Sequence, residues 1–317
     1  MYSFSKIIVD YLCVRNKLWF CFSDALFAES VHYWPMDRMN ISLINLQVSA
    51  DSLSAFHVNS KEKLISSNKV SKDVSSTSRW RTEVVSKIVD VKGGGAGQAF
   101  GNVVTSQGIL NGSVSTDGAH GWIRMGHFIS TCLGEPSVCK DGLTVSLWLK
   151  YNRTYTQPYQ YFLGTSGSLD GYRGFLIYQN FQNDNRDHMI VKVENGTRVW
   201  RRSFLAPSDT WLYVSFTWTS SKGLIVYCNG SLVGYDSRGQ KTAPIQPYYT
   251  TLTLGRPNDK LQFSRGTLDD IAVWYRALHS REVAAMFARG AGLDLEADSV
   301  IAEKGELLIF WQLLLRL

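Results

Sequence analysis

The sequence predicts an all-β fold, a two-sheet antiparallel sandwich or jelly roll that ends in a short C-terminal helix. Three observations support this prediction. Of the 317 residues, 13% are aromatic and only 19% are charged, and 26 are glycine, which favours strands and turns over helices. Apolar and polar residues alternate with a period of two in several short segments. Asn-Gly dipeptides separate some of these segments, as they do in β-hairpins.

The alternation is clearest in Leu143–Lys150 and Leu212–Trp218, where every second residue is apolar. One side of each segment therefore faces a core. Many short strands at regular spacing are typical of a sandwich. Further strands are predicted at Gly121–Met125, Tyr161–Thr165, Gly174–Tyr178, Met189–Glu194, Thr197–Phe204, Leu224–Cys228, Ser231–Tyr235, Thr250–Gly255 and Thr267–Tyr275.

Two hairpins and one helix complete the predicted elements. Asn229-Gly230 separates two predicted strands and indicates a two-residue turn, in which both residues need positive φ. Asn195-Gly196 predicts a second hairpin of the same kind. A helix is predicted over Ser280–Ala288, with Ser280 as its N-cap.

A disulfide is predicted between Cys132 and Cys139. Six residues separate them, including a glycine and a proline, so a bridge would close a surface loop in an oxidising compartment. The alternative is two free thiols in a cytosolic protein. No CxxC pair or group of histidines lies nearby, and zinc is therefore not expected.

Five N-x-S/T sequons also favour an extracellular or cell-surface protein. A sequon is an acceptor for N-glycosylation only where it is exposed in a secreted chain. Together with the predicted disulfide, these sequons make secretion the working hypothesis. The predicted glycosylation sites are Asn40, Asn111, Asn152, Asn195 and Asn229.

The net charge of +6 and the isoelectric point near 9.0 raise the question of an anionic partner. The basic residues are scattered, however, and the densest cluster is Arg198, Arg201 and Arg202. Nucleic-acid binding requires a basic stripe or a recognisable motif, and the sequence has neither. We expect a solvated basic face and no nucleic-acid partner.

Four segments resemble one family in the family's own order. The run GTLDDIAVWYRALHSREVAAMF resembles the closing strand and short helix of laminin-G-like jelly rolls in the concanavalin A-like lectin and glucanase superfamily. LTVSLWLKY resembles its central Trp-bearing strand, and WLYVSFTW with GLIVYCNGSLVG resembles its strand-then-hairpin unit. VHYWPMD resembles its opening strand. The resemblance covers about residues 93–292, together with 31–40, and implies a concanavalin A-like jelly roll.

The resemblance divides the chain into one domain and its flanking segments. Residues 40–87 depart from the family, whose connection at this point is much shorter. Within the C-terminal tail, the apolar run Leu307–Leu317 is too short to span a bilayer. It is compatible with a truncated membrane segment, a lipid-anchor signal or a packed helix. The predicted parts are a possible weak leader (1–28), the first strand of the jelly roll (29–40), a Ser-rich insertion or linker without regular structure (41–86), the laminin-G-like domain (87–295) and the apolar tail (296–317).

A structural calcium ion is a further expectation. Asp269 and Asp270 begin a predicted strand, where alternation directs one side chain to each face. The resemblance implies that one of them ligates calcium with Asp37 or backbone carbonyls, as in some family members. The alternative is that both carboxylates accept hydrogen bonds from loop amides. Asp117 is expected to be a turn residue rather than a ligand.

Catalysis is not expected, and no catalytic residue is predicted. Retaining glycoside hydrolysis needs two carboxyl groups about 5 Å apart. The hydrolase branch of the superfamily carries Glu-x-Asp-x-(x)-Glu on a concave strand, and this sequence has no such run. The motifs GxSxG, HExxH and GxxxxGK[ST] are also missing.

Tyrosines beside prolines are the predicted ligand contacts. Tyr155 and Tyr159 flank Pro158, and Tyr248 and Tyr249 follow Pro247. We predict a non-enzymatic extracellular recognition module that binds a glycan or an extracellular protein. One alternative is an adhesion or spacer fragment of a larger matrix or receptor protein, without a ligand pocket. A glucanase-like hydrolase is the other alternative.

Overall fold

The computed structural model describes residues 30–34, 36, 40–48, 79–89, 96–109, 112–153, 158–182, 186–246 and 248–291. Within these ranges the regular structure is mostly β-strand, as predicted. The elements are β1 (His32–Trp34), β2 (Asn40–Val48), β3 (Arg79–Val89), β4 (Ala96–Phe100), β5 (Val103–Gln107), β6 (Gly112–Asp117), β7 (Trp122–His127), β8 (Leu143–Tyr151), β9 (Tyr159–Gly164), β10 (Arg173–Gln182), β11 (Arg186–Asn195), β12 (Arg198–Leu205), β13 (Leu212–Thr219), β14 (Gly223–Cys228), β15 (Ser231–Asp236), β16 (Gln240–Lys241), β17 (Thr251–Leu254), β18 (Arg265–Trp274) and α1 (Ser280–Gly290).

Two antiparallel sheets form the predicted sandwich. The smaller sheet runs β15-β14-β13-β8-β18-β6-β5, and β1 pairs with the second half of β18. The larger sheet runs β16-β12-β11-β10-β9-β17-β7-β4-β3-β2. Phe175 of the larger sheet and Phe216 of the smaller sheet are fully buried, with ring centroids 5.4 Å apart. The core therefore lies between the two sheets.

The centre of the smaller sheet is buried on both faces. Residues 143–149 of β8 are all buried, whereas the alternation in the sequence indicated one buried side. The reason is α1, which packs on the outer face and forms a second apolar cluster. Trp148, Tyr213, Trp274 and Met286 belong to this cluster.

The Asn229-Gly230 hairpin has the predicted geometry, and the second hairpin does not. Asn229 and Gly230 have φ angles of 49° and 74°, as a two-residue turn requires. At the second hairpin only Gly196 has a positive φ. There, Asn195 Oδ1 accepts hydrogen bonds from the amides of Thr197 and Arg198 at 3.1 and 2.9 Å. The turn is therefore held by an asparagine side chain rather than by two left-handed residues.

Helix α1 begins at Ser280, and its N-cap is His279 rather than the predicted Ser280. The carboxylate of Glu282 explains this start. Its Oε2 accepts a hydrogen bond from the His279 amide at 2.6 Å, which satisfies one of the amides that helices leave unbonded at their first turn. Glu282 also pairs with Arg276 at 2.8 Å. No helix among the described residues is long and apolar enough to cross a membrane.

The prediction that residues 41–86 lack regular structure is wrong at both ends of the segment. β2 and β3 pair in register from Asn40–Lys87 to Val48–Arg79, and β3 joins the larger sheet through β4. Ser and Lys are frequent here, but Ile and Val in both strands supply the β-propensity that the composition concealed. Residues 49–78 lie outside the described residues, as do the predicted leader (1–28) and apolar tail (296–317).

Candidate functional site

The outer face of the larger sheet carries a cluster of tyrosines. Tyr161 on β9 is the register partner of Tyr178 on β10, so both rings project to the same side. Their centroids lie 5.5 Å apart, and Tyr159 lies 6.2 Å from Tyr161. Alternation along β9 sends Phe162 into the core instead. Tyr161 and Tyr178 are 4% and 8% exposed, and Tyr159 is partly exposed.

Asp259 lies near Gly167, as does a second tyrosine pair. Its two carboxylate oxygens accept hydrogen bonds from the amide and hydroxyl of Ser168, each at 2.7 Å. Gly167 also neighbours the Tyr172 ring, whose centroid lies 5.1 Å from that of Tyr249. The resulting surface, which we call the tyrosine face, comprises Tyr159, Tyr161, Tyr172, Tyr178, Tyr249 and Asp259.

The hydroxyls of Tyr161 and Tyr178 are protonated at neutral pH. Burial raises the pKa of Tyr161 above its ordinary value, and Tyr178 and Asp259 raise it further. Burial also raises the pKa of Tyr178 to about 12. Neutral phenols both donate and accept hydrogen bonds. The tyrosine face therefore combines flat apolar rings with hydroxyl groups of both hydrogen-bonding kinds.

A buried ion pair holds the 165–172 loop against this face. Lys192 Nζ lies 2.9 Å from Glu194 Oε1, and both side chains are at most 1% exposed. The ammonium also donates to the carbonyls of Gly167 and Leu169, at 3.1 and 2.8 Å. Glu194 accepts hydrogen bonds from the Gly171 amide, at 3.1 Å, and from the hydroxyl of Ser166. Both charges thus bond directly to the loop that carries Ser168.

The predicted disulfide adjoins the same region. Cys132 and Cys139 are bonded, which confirms the prediction. The loop they close contains Glu135, which pairs with Arg173 at the start of β10. The guanidinium carbon of Arg173 lies 3.8 Å from the ring centroid of Tyr248. This cation–π contact fixes the tyrosine that precedes Tyr249.

Three of the four tyrosines predicted as ligand contacts therefore meet in this region. Tyr159 and Tyr249 belong to the tyrosine face, and Tyr248 adjoins it beneath Arg173. Tyr155 lies outside the described residues. Whether these side chains contact a ligand stays a prediction.

A laminin-G family model, described as the concanavalin A-like lectin/glucanases superfamily, matches residues 126–284. These residues are half of the chain and include the whole tyrosine face. The chain belongs to this superfamily. The resemblance seen in the sequence is thereby confirmed, and so is the jelly-roll fold that it implies.

Curated relatives match a similar part of the chain. Adhesion G-protein coupled receptor D1 of Homo sapiens is 27% identical over 172 residues, 53% of this chain and 19% of that protein. The Bos taurus receptor of the same name is 28% identical over 180 residues, 54% of this chain and 18% of that protein. The chain thus spans about a fifth of the length of these relatives.

Solved structures resemble the chain in fold. One describes the dependence of cell entry of botulinum neurotoxin type C on two ganglioside molecules. Its TM-score is 0.48 at 14% sequence identity, and the match covers 64% of this chain and 48% of that chain. Likeness at this level concerns the fold alone.

One of the carboxylates that the superfamily resemblance proposed for calcium, that of Asp269, accepts hydrogen bonds from backbone amides. Asp269 Oδ2 accepts from the Ile109 amide at 2.9 Å, and its Oδ1 accepts from the Asp270 amide at 2.8 Å. Both aspartates are buried at a bulge of β18, which interrupts the regular alternation, and Asp270 has a φ of 46°. Asp37 lies outside the described residues.

The described donors do not by themselves fit a calcium ion. In the part of the chain that the structure describes, no group of three or more His, Cys, Asp or Glu residues is placed to hold a metal. Calcium takes about six to eight oxygen ligands, so a site at Asp269 would need Asp37 or several carbonyls in addition. Structural calcium stays a prediction.

Three of the five predicted glycosylation sites have described side chains: Asn152, Asn195 and Asn229. Asn152 Nδ2 donates a hydrogen bond to Asp209. Asn195 and Asn229 instead use Oδ1, which accepts from backbone amides. Asn111 and the side chain of Asn40 lie outside the described residues.

Asp117 is a turn residue, as expected. Its Oδ1 accepts hydrogen bonds from the amides of Ala119, His120 and Gly121 at 2.8–2.9 Å. Burial opposes ionisation of this carboxyl, but the three amides outweigh it and lower its pKa from 3.8 to about 2. The carboxylate thus stabilises the turn between β6 and β7 in its charged form.

Replacing Asp117 by asparagine is expected to destabilise the domain in a pH-dependent way. The folded-state pKa lies below the ordinary value, so the charge stabilises the fold above about pH 4, and this contribution disappears as the pH falls toward about 2. Urea unfolding of wild type and Asp117→Asn at several pH values measures the difference. A difference that does not change with pH would contradict the role of the charge.

Proposed function

We propose that this chain is an extracellular, non-catalytic recognition domain that binds a glycan on the tyrosine face. The observation that carries the proposal is the group of neighbouring tyrosine rings on the outer face of β9 and β10, beside a loop pair of Tyr172 and Tyr249. Aromatic rings present flat apolar surface to the CH groups of a sugar, and neighbouring hydroxyls bond to its OH groups. Partly exposed Tyr159 and Tyr249 are the proposed ring contacts.

The contacts around the tyrosine face support a preformed binding site. Lys192 and Glu194 fix the 165–172 loop from beneath, and Arg173 fixes Tyr248 from the side. Side chains locked in this way lose little conformational entropy on binding. Two cavities among the described residues lie elsewhere, beside α1. The tyrosine face instead offers the partly exposed rings of Tyr159 and Tyr249 on a sheet surface, which suits a chain of sugars better than a small enclosed molecule.

The carboxylates near the face already have structural partners. Both oxygens of Asp259 accept from Ser168. Glu194 bonds to Lys192, Ser166 and Gly171. Groups engaged in this way are poorly suited to act as general acid or nucleophile, and the sequence lacks the acidic run of the hydrolases. These observations support recognition without catalysis.

Three observations support an extracellular location. The Cys132–Cys139 disulfide persists in an oxidising compartment. Sequons occur at five positions. The curated relatives are adhesion receptors by name. If the domain is extracellular, its available partners are the glycans and proteins of the cell surface and matrix.

A glycan array tests the proposal. The full chain, secreted from mammalian cells with an added leader, would be applied with calcium and, separately, with a chelator. We expect binding to at least one class of glycan. Loss of that binding in chelator would support the predicted calcium ion, and unchanged binding would speak against its involvement. No binding in either condition would contradict the glycan proposal and favour an extracellular protein ligand or a spacer role.

A further inference from the structure

An apolar groove lies on the outer face of the smaller sheet, opposite to the tyrosine face. Its cavity volume is about 410 Å³, and Ile109, Trp148, Trp211 and Phe287 line it. Trp148 is 4% exposed and lies 5.7 Å from Phe287, centroid to centroid. The volume falls in the range of small-molecule sites, roughly 300–1,000 Å³.

Asn229, the acceptor of an Asn-Gly-Ser sequon, also lines this groove. The Asn229-Gly230 turn places the hairpin tip against α1, where a Cβ on Gly230 would lie 3.0 Å from the Phe287 ring. Asn229 Oδ1 accepts a hydrogen bond from the Tyr213 amide at 2.9 Å. This bond orients the side-chain amide, while no described residue accepts a hydrogen bond from its Nδ2. The atom that a glycan modifies is thus exposed at the rim of the groove.

We propose that Asn229 carries an N-linked glycan whose first sugar covers this groove. In the modification, a lipid-linked oligosaccharide pyrophosphate transfers its sugar to Asn229 Nδ2. The bond from C1 to Nδ2 forms, the bond from C1 to the phosphate oxygen breaks, and the lipid pyrophosphate and one Nδ2 proton leave. No electrons are exchanged with an oxidant or reductant.

Attachment at Asn229 favours the first sugar as the group that fills the groove, because the sugar is tethered at the rim of the groove. A tethered group has an effective concentration far above that of a free ligand. The apolar face of the sugar and its acetamido methyl group can pack on Trp211 and Phe287, as apolar groups pack on aromatic rings elsewhere. Asn152 offers no such arrangement, because its Nδ2 already donates to Asp209.

Asn195 provides a matched control. Its Oδ1 also accepts from backbone amides, and its sequon is also at a hairpin turn. Asn195 lies beside Arg173 rather than beside the aromatic groove. A glycan at Asn195 therefore leaves the groove open. Ser231→Ala and Thr197→Ala each remove one sequon without changing its asparagine, and Ser231→Thr preserves the first sequon.

The experiment uses the full chain secreted from mammalian cells. The glycans are released enzymatically in heavy-oxygen water, and mass spectrometry of the peptides then identifies the asparagines that were occupied. An apolar fluorescent dye reports exposed aromatic surface. We expect Asn229 to be occupied. Ser231→Ala is expected to raise dye fluorescence several-fold, whereas Ser231→Thr and Thr197→Ala leave it at the wild-type level.

Three results would overturn the proposal. The first is an unmodified Asn229 in secreted protein. The second is an occupied Asn229 with the same dye fluorescence in wild type and Ser231→Ala, which would mean that residues after Ala291 or another protein cover the groove. The third is an equal rise in Thr197→Ala. None of these results depends on glycan binding at the tyrosine face, which lies on the other sheet.

Discussion

Replacing Glu194 by alanine is expected to lower the free energy of unfolding by about 3 kcal/mol, the lower end of the range for breaking a buried ion pair. It removes the nearer, buried counter-ion of Lys192 and leaves only Asp170, a partly exposed carboxylate 3.7 Å from the ammonium. The Lys192 side chain is 1% exposed, so solvent cannot replace the lost carboxylate. The Gly171 amide and the Ser166 hydroxyl lose their acceptor in the same step. Chemical denaturation of wild type and variant measures the loss.

The double variant Lys192→Met with Glu194→Leu is the matched control for this prediction. Removing both charges avoids the isolated ammonium, so the double variant is expected to be more stable than Glu194→Ala. Glu194→Gln keeps the shape of the side chain and gives a folded comparison if the alanine variant does not fold. A loss below about 1 kcal/mol in Glu194→Ala would show that the pair is not buried in solution.

Phe216→Ala is the second change with a large expected effect, a loss of about 3–5 kcal/mol. Phe216 is fully buried, and its ring meets Phe175 across the sandwich at 5.4 Å. Truncation leaves a cavity between two sheets that cannot close over it, since each sheet is held by its own backbone ladder. Thermal and urea unfolding measure the effect.

Phe216→Leu separates the cavity from the loss of aromatic contact. It retains most of the volume and is expected to cost less than about 1.5 kcal/mol. A double-mutant cycle of Phe216→Ala with Phe175→Ala is expected to give a coupling energy of about 0.5–1.5 kcal/mol. Independent effects of the two substitutions would contradict the packing of the sheets through this pair.

The fold was predictable because alternation and turn chemistry agree over most of the domain. Leu212–Trp218 alternates strictly, and Asn229-Gly230 requires a hairpin at its own position. β2 and β3 were not predicted, since a Ser- and Lys-rich composition concealed their Ile and Val residues. The second buried face of β8 was also missed, because alternation does not show that a helix will cover the polar side.

Tyr159 and Tyr249 of the tyrosine face were predicted from the sequence as ligand contacts, but the residues that position them could not be. Lys192 and Glu194 alternate with buried valines on β11, the usual pattern of side chains that face solvent. Only the fold shows that the 165–172 loop covers both charges. Asp259 and Ser168 lie 91 residues apart in separate loops, and no local motif connects them.

The role of the tyrosine face is tested most directly by titrating its variants with the strongest glycan from the array. Tyr159→Ala and Tyr249→Ala are expected to weaken binding roughly tenfold each, which corresponds to about 1.4 kcal/mol, with unfolding temperatures near that of wild type. Tyr235, 64% exposed on β15 of the other sheet, is the control. Wild-type affinity in Tyr235→Ala and loss in the double variant would support the site. Unchanged affinity in the double variant would contradict it.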